Sequence, residues 1–245
     1  MKTFLRHDGE TIAYLQRSGK TPGVIWLGGF HSDMQGTKAA ALDEWAAKNG
    51  RAFLRFDYFG HGQSSGDFRH GTITRWRDDA LAVLDELTHG PQVLVGSSMG
   101  AWIALLVALM RPDRIAALLL IAPAPDFTER LMWARMTVEI RTQIQEQGEW
   151  LRPSIYDDGA YPVTLRLIED GREHLLLGAP IQIGCPVHIL QGMHDPDVPW
   201  AYAIELAERL SGNPVVTLIK HGDHRLSTPA DLARIERILG ELLPP

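Results

Sequence analysis

Val93-Leu94-Val95 runs into Gly96-Ser97-Ser98-Met99-Gly100, and that link runs straight into Ala101–Met110, a stretch without one charged side chain. A helix that is apolar on every side has to lie in an interior. The strand before it is equally apolar, so the sharp turn between them must sit at the centre of a fold. Few architectures bury both arms of such a turn. Elsewhere, short apolar strands are predicted at Val24–Leu27, Phe53–Phe56, Gln92–Val95, Ile115–Ala122, Val187–Leu190 and Val215–Ile219. Helical patterns occupy Thr37–Lys48, Ile73–Leu87, Ala101–Met110, Ala201–Leu210 and Leu232–Leu243. Such alternation predicts an α/β fold, a mostly parallel sheet with helices on both faces.

Thr3–His7 and Thr11–Gln16 flank Asp8-Gly9, which predicts an antiparallel N-terminal hairpin at one edge of that sheet. The alternation is interrupted over residues 124–180, where Met132, Trp133, Met136, Trp150, Tyr156 and Tyr161 lie among charged residues. A long insertion in a regular pattern is usually functional. The chain is therefore expected to comprise a core of residues 1–123 and 181–245 with an inserted helical lid at 124–180. The plainer alternative is a set of extra surface helices.

Composition narrows the function classes. A net charge of −6 leaves no basic footprint for a nucleic-acid partner. No apolar run approaches the roughly 20 residues of a membrane span. The single cysteine, Cys185, allows neither an internal disulfide nor a zinc cage. With no leader-like segment before the first predicted strand, a cytoplasmic location is expected.

Gly96–Gly100 matches Gly-x-Ser-x-Gly with Ser98 at its centre, in the strand–turn–helix context that the pattern requires. The glycines remove side-chain collisions in the turn, and the Ser98 hydroxyl then projects at the carboxyl end of the sheet, where α/β folds place ligands. The following helix aims free N–H groups and its positive end at the same point. Ser97, one residue early, is expected to point elsewhere. The competing reading is a glycine-rich turn with incidental serines.

A serine hydroxyl needs a base, and the base needs an orienting acid. Later loops supply both. After Val187–Leu190 come Asp195 and Asp197, of which Asp195 is favoured because it lies nearer the strand end. After Val215–Ile219 come His221 and His224, and the intervening Gly222-Asp223 turn favours His224. A metal site is the rival use of these groups, but the spacing matches no metal motif. The oxyanion donors are expected to be the backbone N–H groups of Met99 and Phe30, the latter in the Gly28-Gly29-Phe30 loop. His31, Asp33 and the Asp57–Ser64 turn are assigned packing and shaping roles.

Taken in order, Gly28-Gly29-Phe30, Asp57–Ser64, Gly96–Gly100, Gly192–Pro199 and His221–Arg225 resemble the α/β-hydrolase family over essentially the whole chain. "RFDYFGHGQS", "VGSSMGAW", "QGMHDPDVPW" and "GEWLRPSIYDDGAY" are similar to its palmitoyl-protein thioesterase and acyl-glucuronide esterase branch. That resemblance implies Ser98 as nucleophile, Asp195 as acid and His224 as base, with no cofactor. It implies cleavage of acyl thioesters or carboxylic esters through an acyl-serine intermediate, on a small molecule or an acylated protein. One departure is Gly28-Gly29 where the commoner family form has His-Gly. Leu131, Trp133, Met136 and Trp200 either shelter an acyl chain or pack the lid onto the core. Serine argues against the aspartate-nucleophile dehalogenases and epoxide hydrolases. A peptidase, a lactonase, an acyltransferase and a non-catalytic small-molecule binder remain as alternatives.

Overall fold

In the computed structural model, which describes residues 1–153 and 159–243, the apolar runs pair into one eight-stranded sheet. Its strands are β1 (Lys2–Leu5), β2 (Thr11–Arg17), β3 (Lys20–Leu27), β4 (Arg51–Phe56), β5 (Gln92–Ser97) and β6 (Ile115–Ile121), then β9 (Val187–Gly192) and β10 (Val215–Ile219). Between them β7 (Glu149–Pro153) and β8 (Ala160–Thr164) form a separate antiparallel hairpin. Across the sheet the order is β1-β2-β4-β3-β5-β6-β9-β10, and β2 alone runs against the rest. Strand β1 stops short of the predicted His7 because the Arg6 N–H donates to the Glu10 carbonyl at 2.7 Å and closes the turn.

Seven helices cover the described chain: α1 (Thr37–Lys48), α2 (Ile73–Leu87), α3 (Met99–Met110), α4 (Val138–Gln147), α5 (Leu165–Arg172), α6 (Trp200–Arg209) and α7 (Pro229–Leu242). Period-two alternation of side chains splits the core into two layers. Val93 and Val95 of β5 pack with Leu119 and Ile121 of β6 against α1 and α7. Leu94, Leu118 and Leu120 face the opposite way, towards α2 and α3.

Between β5 and α3 the backbone turns with no slack. Helix α3 starts at Met99, two residues before the predicted Ala101, and every residue from Met99 to Ala108 is buried. A Cβ on Gly96 would lie 2.4 Å from the Gly100 carbonyl oxygen. A Cβ on Gly100 would lie 2.1 Å from the Leu27 oxygen. The second collision is therefore with β3, not within the turn itself. Backbone atoms cannot step aside, so both positions admit glycine alone.

Residues 124–180 hold more than helices. Short irregular turns at Thr128–Met132 and Trp133–Arg135 precede α4, the β7–β8 hairpin and α5. The hairpin escapes sequence reading because its strands are short and half-buried, without an apolar run. Tyr156, one of the aromatic residues singled out in this segment, lies outside the described residues.

Gly100→Ala should lower stability by about 1–3 kcal/mol through overpacking, although alanine gains about 1 kcal/mol in helix propensity. Gly240→Ala, in α7, is the control, since its Cβ would meet only a Trp45 ring carbon at 3.9 Å. It should raise stability by about 0.5–1 kcal/mol. Urea denaturation of both variants checks the contrast, and equal shifts would refute it.

Candidate active site

Ser98 adopts φ 55° and ψ −115°, a conformation that a non-glycine residue holds only under compulsion. Its N–H donates to the Ile121 carbonyl at 2.9 Å, and its own carbonyl accepts from Ala101 at 3.0 Å. Serine is a common helix N-cap, yet the Ser98 side chain makes no capping bond. The hydroxyl is left to meet His224 Nε2 at 3.1 Å. Ser97, buried at the end of β5, still reaches the cavity wall beside it.

Two later strands deliver the other side chains. Past β9, Asp195 lies with its carboxylate fully enclosed, 2.7 Å from His224 Nδ1. Its Oδ1 accepts the backbone N–H groups of Asp197 and Val198, both at 2.8 Å. Its Oδ2 accepts from Gln191 Nε2 at 3.0 Å. A carboxylate so placed fixes the imidazole tautomer: Nδ1 carries the proton, and Nε2 is the acceptor that faces Ser98.

The loops that carry Asp195 and His224 are fastened to each other. His194 N–H donates to the Gly222 carbonyl at 2.9 Å, and Met193 N–H to that of Ile219 at 2.9 Å. A Cβ on Gly192 would sit 2.4 Å from the Gly222 oxygen. His221 lies outside this arrangement, exposed, with its ring 5.4 Å from that of His194. Asp197 lines the cavity.

The loop after β3 reaches the serine from the other side. A Cβ on Gly29 would stand 3.6 Å from Ser98 Cβ, so the two backbones lie side by side. Phe30 follows, its ring edge-on to Phe68, Trp76, Phe127 and Tyr161 at centroid distances of 5.0, 5.7, 5.6 and 5.5 Å. Then His31 takes φ 57° and donates its N–H to His61 Nε2 at 3.2 Å. His61 Nδ1 donates to the Phe59 carbonyl at 3.1 Å, so the ring is neutral with both nitrogens used. Asp57 takes the Met34 N–H at 2.6 Å and the Gln63 N–H at 2.8 Å. The Asp57–Ser64 turn therefore braces the loop that carries the Phe30 N–H.

Above these groups opens a cavity of about 600 Å³. Phe127, Leu131, Met132, Met136, Ile140 and Trp150 make one wall, all from residues 124–180. Lys38, Asp33, Arg225 and Ser227 belong to the opposite, polar side. Of the four residues expected either to shelter an acyl chain or to pack the lid, Leu131 and Met136 line the cavity, and Trp133 packs against the core. Trp133 is outside the lining, its ring occupied by the guanidinium groups of Arg141 and Arg172 at 5.5 and 5.2 Å. Trp200 opens α6 at 43% exposure and is also outside the lining.

Among the described residues, one group of metal-ligand type has donor atoms within 4.8 Å of one another: Asp195, Asp197 and His224. Both Asp195 oxygens already accept hydrogen bonds, and His224 Nδ1 is one of the donors. The group is thus better described as a hydrogen-bonded relay than as a cation cage.

Residues 23–235 match the model of the alpha/beta hydrolase family. The chain belongs to that family. Among its curated alpha/beta hydrolase relatives is the human mitochondrial palmitoyl-protein thioesterase ABHD10, 39% identical over 97% of this chain and 78% of that protein. Two solved chains share the alpha/beta hydrolase fold closely. One, from Agrobacterium vitis S4, is 42% identical over 100% of this chain and 97% of its own, with a TM-score of 0.94. The other, mouse alpha/beta hydrolase domain-containing protein 10, is 38% identical over 98% of this chain and 97% of its own, with a TM-score of 0.91. No helix among the described residues is long and apolar enough to cross a membrane.

Sequence reasoning gave the Asp57–Ser64 turn of this alpha/beta hydrolase a shaping role without naming the bonds of Asp57 and His61, and it passed over Gln191. The partners of His61 and Asp57 are backbone groups, which no spacing encodes, and the Gln191 contact to Asp195, four residues on, depends on how that loop folds. His61 offers a direct check. Burial pushes its imidazole down from 6.5 to about 4. The unfolded chain takes up that proton near 6.5 and the folded chain only near 4, so this residue's contribution is lost as pH falls between them. His61→Phe leaves the His31 N–H unpaired and should cost about 1–3 kcal/mol at pH 7. The stability gap to wild type should then narrow by up to about 3 kcal/mol on going to pH 4. Asp79, pushed up to about 6 by burial, titrates in both proteins and cancels. A gap independent of pH would refute the neutral ring.

Proposed function

We propose that the protein is a serine hydrolase of acyl thioesters and carboxylic esters, acting through an acyl-Ser98 intermediate. The observation that carries this reading is the unbroken relay from Asp195 through His224 to Ser98, at 2.7 and 3.1 Å, on the cavity floor. In the first step His224 Nε2 takes the hydroxyl proton while Ser98 Oγ attacks the carbonyl carbon. Negative charge on the carbonyl oxygen is received by the N–H groups of Phe30 and Met99. Met99 is the first residue of α3, where N–H groups have no acceptor within the helix. One such donor is worth about 2.7–4 kcal/mol to a transition state.

Collapse of the tetrahedral species breaks the bond to the leaving thiol or alcohol, which takes the proton from His224. Water then attacks the acyl-serine, His224 removes its proton, and the carboxylic acid departs as Ser98 is restored. Asp195 holds the imidazole and stabilises its positive form throughout. No step calls for a metal or cofactor.

Residues 124–180 act as the lid, and the apolar wall they contribute suits the acyl chain. Leu131 and Met136 belong to that wall, whereas Trp133 and Trp200 lie outside the lining. The name of the curated relatives, palmitoyl-protein thioesterase, makes a long acyl chain on a protein or small-molecule thiol the first substrate to try. An acyl glucuronide is the oxygen-ester counterpart. The single thiol Cys185 is in keeping with a reducing compartment such as the cytoplasm.

Ser98→Ala should lower kcat by about 10⁴-fold or more on a chromogenic ester and abolish fluorophosphonate labelling. Labelling that persists in the variant would overturn the assignment, and a wild type that never labels would favour the binding-protein alternative. Leu131→Trp should shorten the chain that the cavity accepts. Across thioesters of increasing length, kcat/KM should fall for long chains and hold for short ones, each buried methylene being worth about 0.8 kcal/mol. Uniform loss at every length would refute the acyl placement.

A further inference from the structure

Lys38 is a charged side chain beside the site that the mechanism above does not use. It is the second residue of α1, the helix that follows directly from the loop carrying Phe30. Its ammonium donates to the Arg225 carbonyl, 187 residues away in the chain, and lies 3.4 Å from Ser227 Oγ. Ser227 Oγ donates to the same Arg225 carbonyl at 2.9 Å. Arg225 is the residue after His224. The next residue, Leu226, is held at φ 44°, with its N–H taken by Asp223 Oδ1 at 2.8 Å. The base loop thus runs through a left-handed residue beside the point where Lys38 grips it.

We propose that Lys38 is a positioning residue, tying the oxyanion-loop helix to the base loop and so setting the approach of the His224 imidazole to Ser98. The inference rests on the acyl-serine reading. Lys38 touches no reacting atom; it acts through the backbone on either side. An ammonium bound to a carbonyl is a charge-assisted contact, roughly twice as strong as a neutral one. Losing it frees the loop to drift, and small misplacements are costly in a proton relay.

The contact also carries its own titration. Burial pushes the Lys38 ammonium down from 10.5 to about 8. The charged groups facing it are Asp223 and Arg225 on the base loop and Asp231 at the start of α7. Both carboxylates favour its charge and Arg225 opposes it. Below about pH 8 the tie is charged, and above it the neutral amine is a weaker donor.

The test is the pH profile of kcat and KM for wild type, Lys38→Met, Lys38→Arg and Ser98→Ala, with a melting curve for each. Wild-type kcat should fall above about pH 8. Lys38→Met should show kcat reduced about tenfold at pH 7, KM within about twofold, and no alkaline limb. Lys38→Arg, charged throughout, should keep most of kcat and hold it past the wild-type limb. A Lys38→Met profile that superimposes on wild type would overturn the inference. So would a wild-type limb that is absent or is unmoved in Lys38→Arg, which keeps the test decisive if the methionine variant does not fold. Turnover that survives in Ser98→Ala would sink the acyl-serine reading and this inference with it. Loss in Ser98→Ala alongside an unchanged Lys38→Met profile would sink the inference alone.

Discussion

The backbone reversal at Ser98 is the constraint around which the molecule is built. A non-glycine residue at φ 55° stores on the order of 1–3 kcal/mol of strain. That strain persists because both arms of the turn are immovable. Strand β5 is flanked by β3 and β6, and α3 is buried from Met99 to Ala108. The closeness of Gly100 to the Leu27 carbonyl brings α3 almost onto β3. The same closeness sets the loop leaving β3 beside Ser98, so one packing requirement positions the serine and the proposed oxyanion donor together.

Three loops then have to hold station at one end of the sheet. The loops that carry Asp195 and His224 are joined by backbone bonds from His194 and Met193, and Gly192 lets them touch. The loop that carries Phe30 is braced from below by a neutral His61 and by the Asp57 carboxylate, and its Phe30 ring is gripped by four aromatic neighbours. Asp57 and His61, the anchors beneath that loop, are buried, where water weakens their bonds little. Backbone acceptors and enclosed carboxylates give directional restraint without the entropy cost of ordering long side chains.

Residues 124–180 contribute differently. Tyr161 of β8 packs on Phe30 and stacks on His31 at 5.3 Å, joining the hairpin to the oxyanion loop. At its base the segment is pinned by Asp126, whose carboxylate takes the N–H groups of Leu176 and Leu177. Arg130 and Glu205 add a two-pronged ion pair to α6. Such anchoring leaves the cavity wall to the inward-facing Phe127, Leu131, Met136 and Ile140. Its apolar character follows from which faces of short turns point inward, not from the segment's composition.

Much of this was legible in the chain itself. Apolar runs of four to eight residues, separated by helical periodicity, determined a parallel sheet covered on both faces, because such strands have no polar face to show to water. The helix spans at Thr37–Lys48 and Ile73–Leu87 agree with the structure residue for residue. Glycine spacing around Ser98, and the loops expected after β9 and β10, singled out Asp195 and His224, since residues at strand ends are placed by the strand. Other features were decided only by the tertiary structure. Sequence left open whether Trp133 and Trp200 shelter an acyl chain or pack the lid; in the fold both lie outside the cavity lining, Trp133 against two arginines and Trp200 towards solvent. The β7–β8 hairpin and the bracing by His61, Asp57, Gln191 and Lys38 depend on partners brought close by folding. Sequence records which groups a residue is able to bond; only the packed backbone determines which of them come within reach.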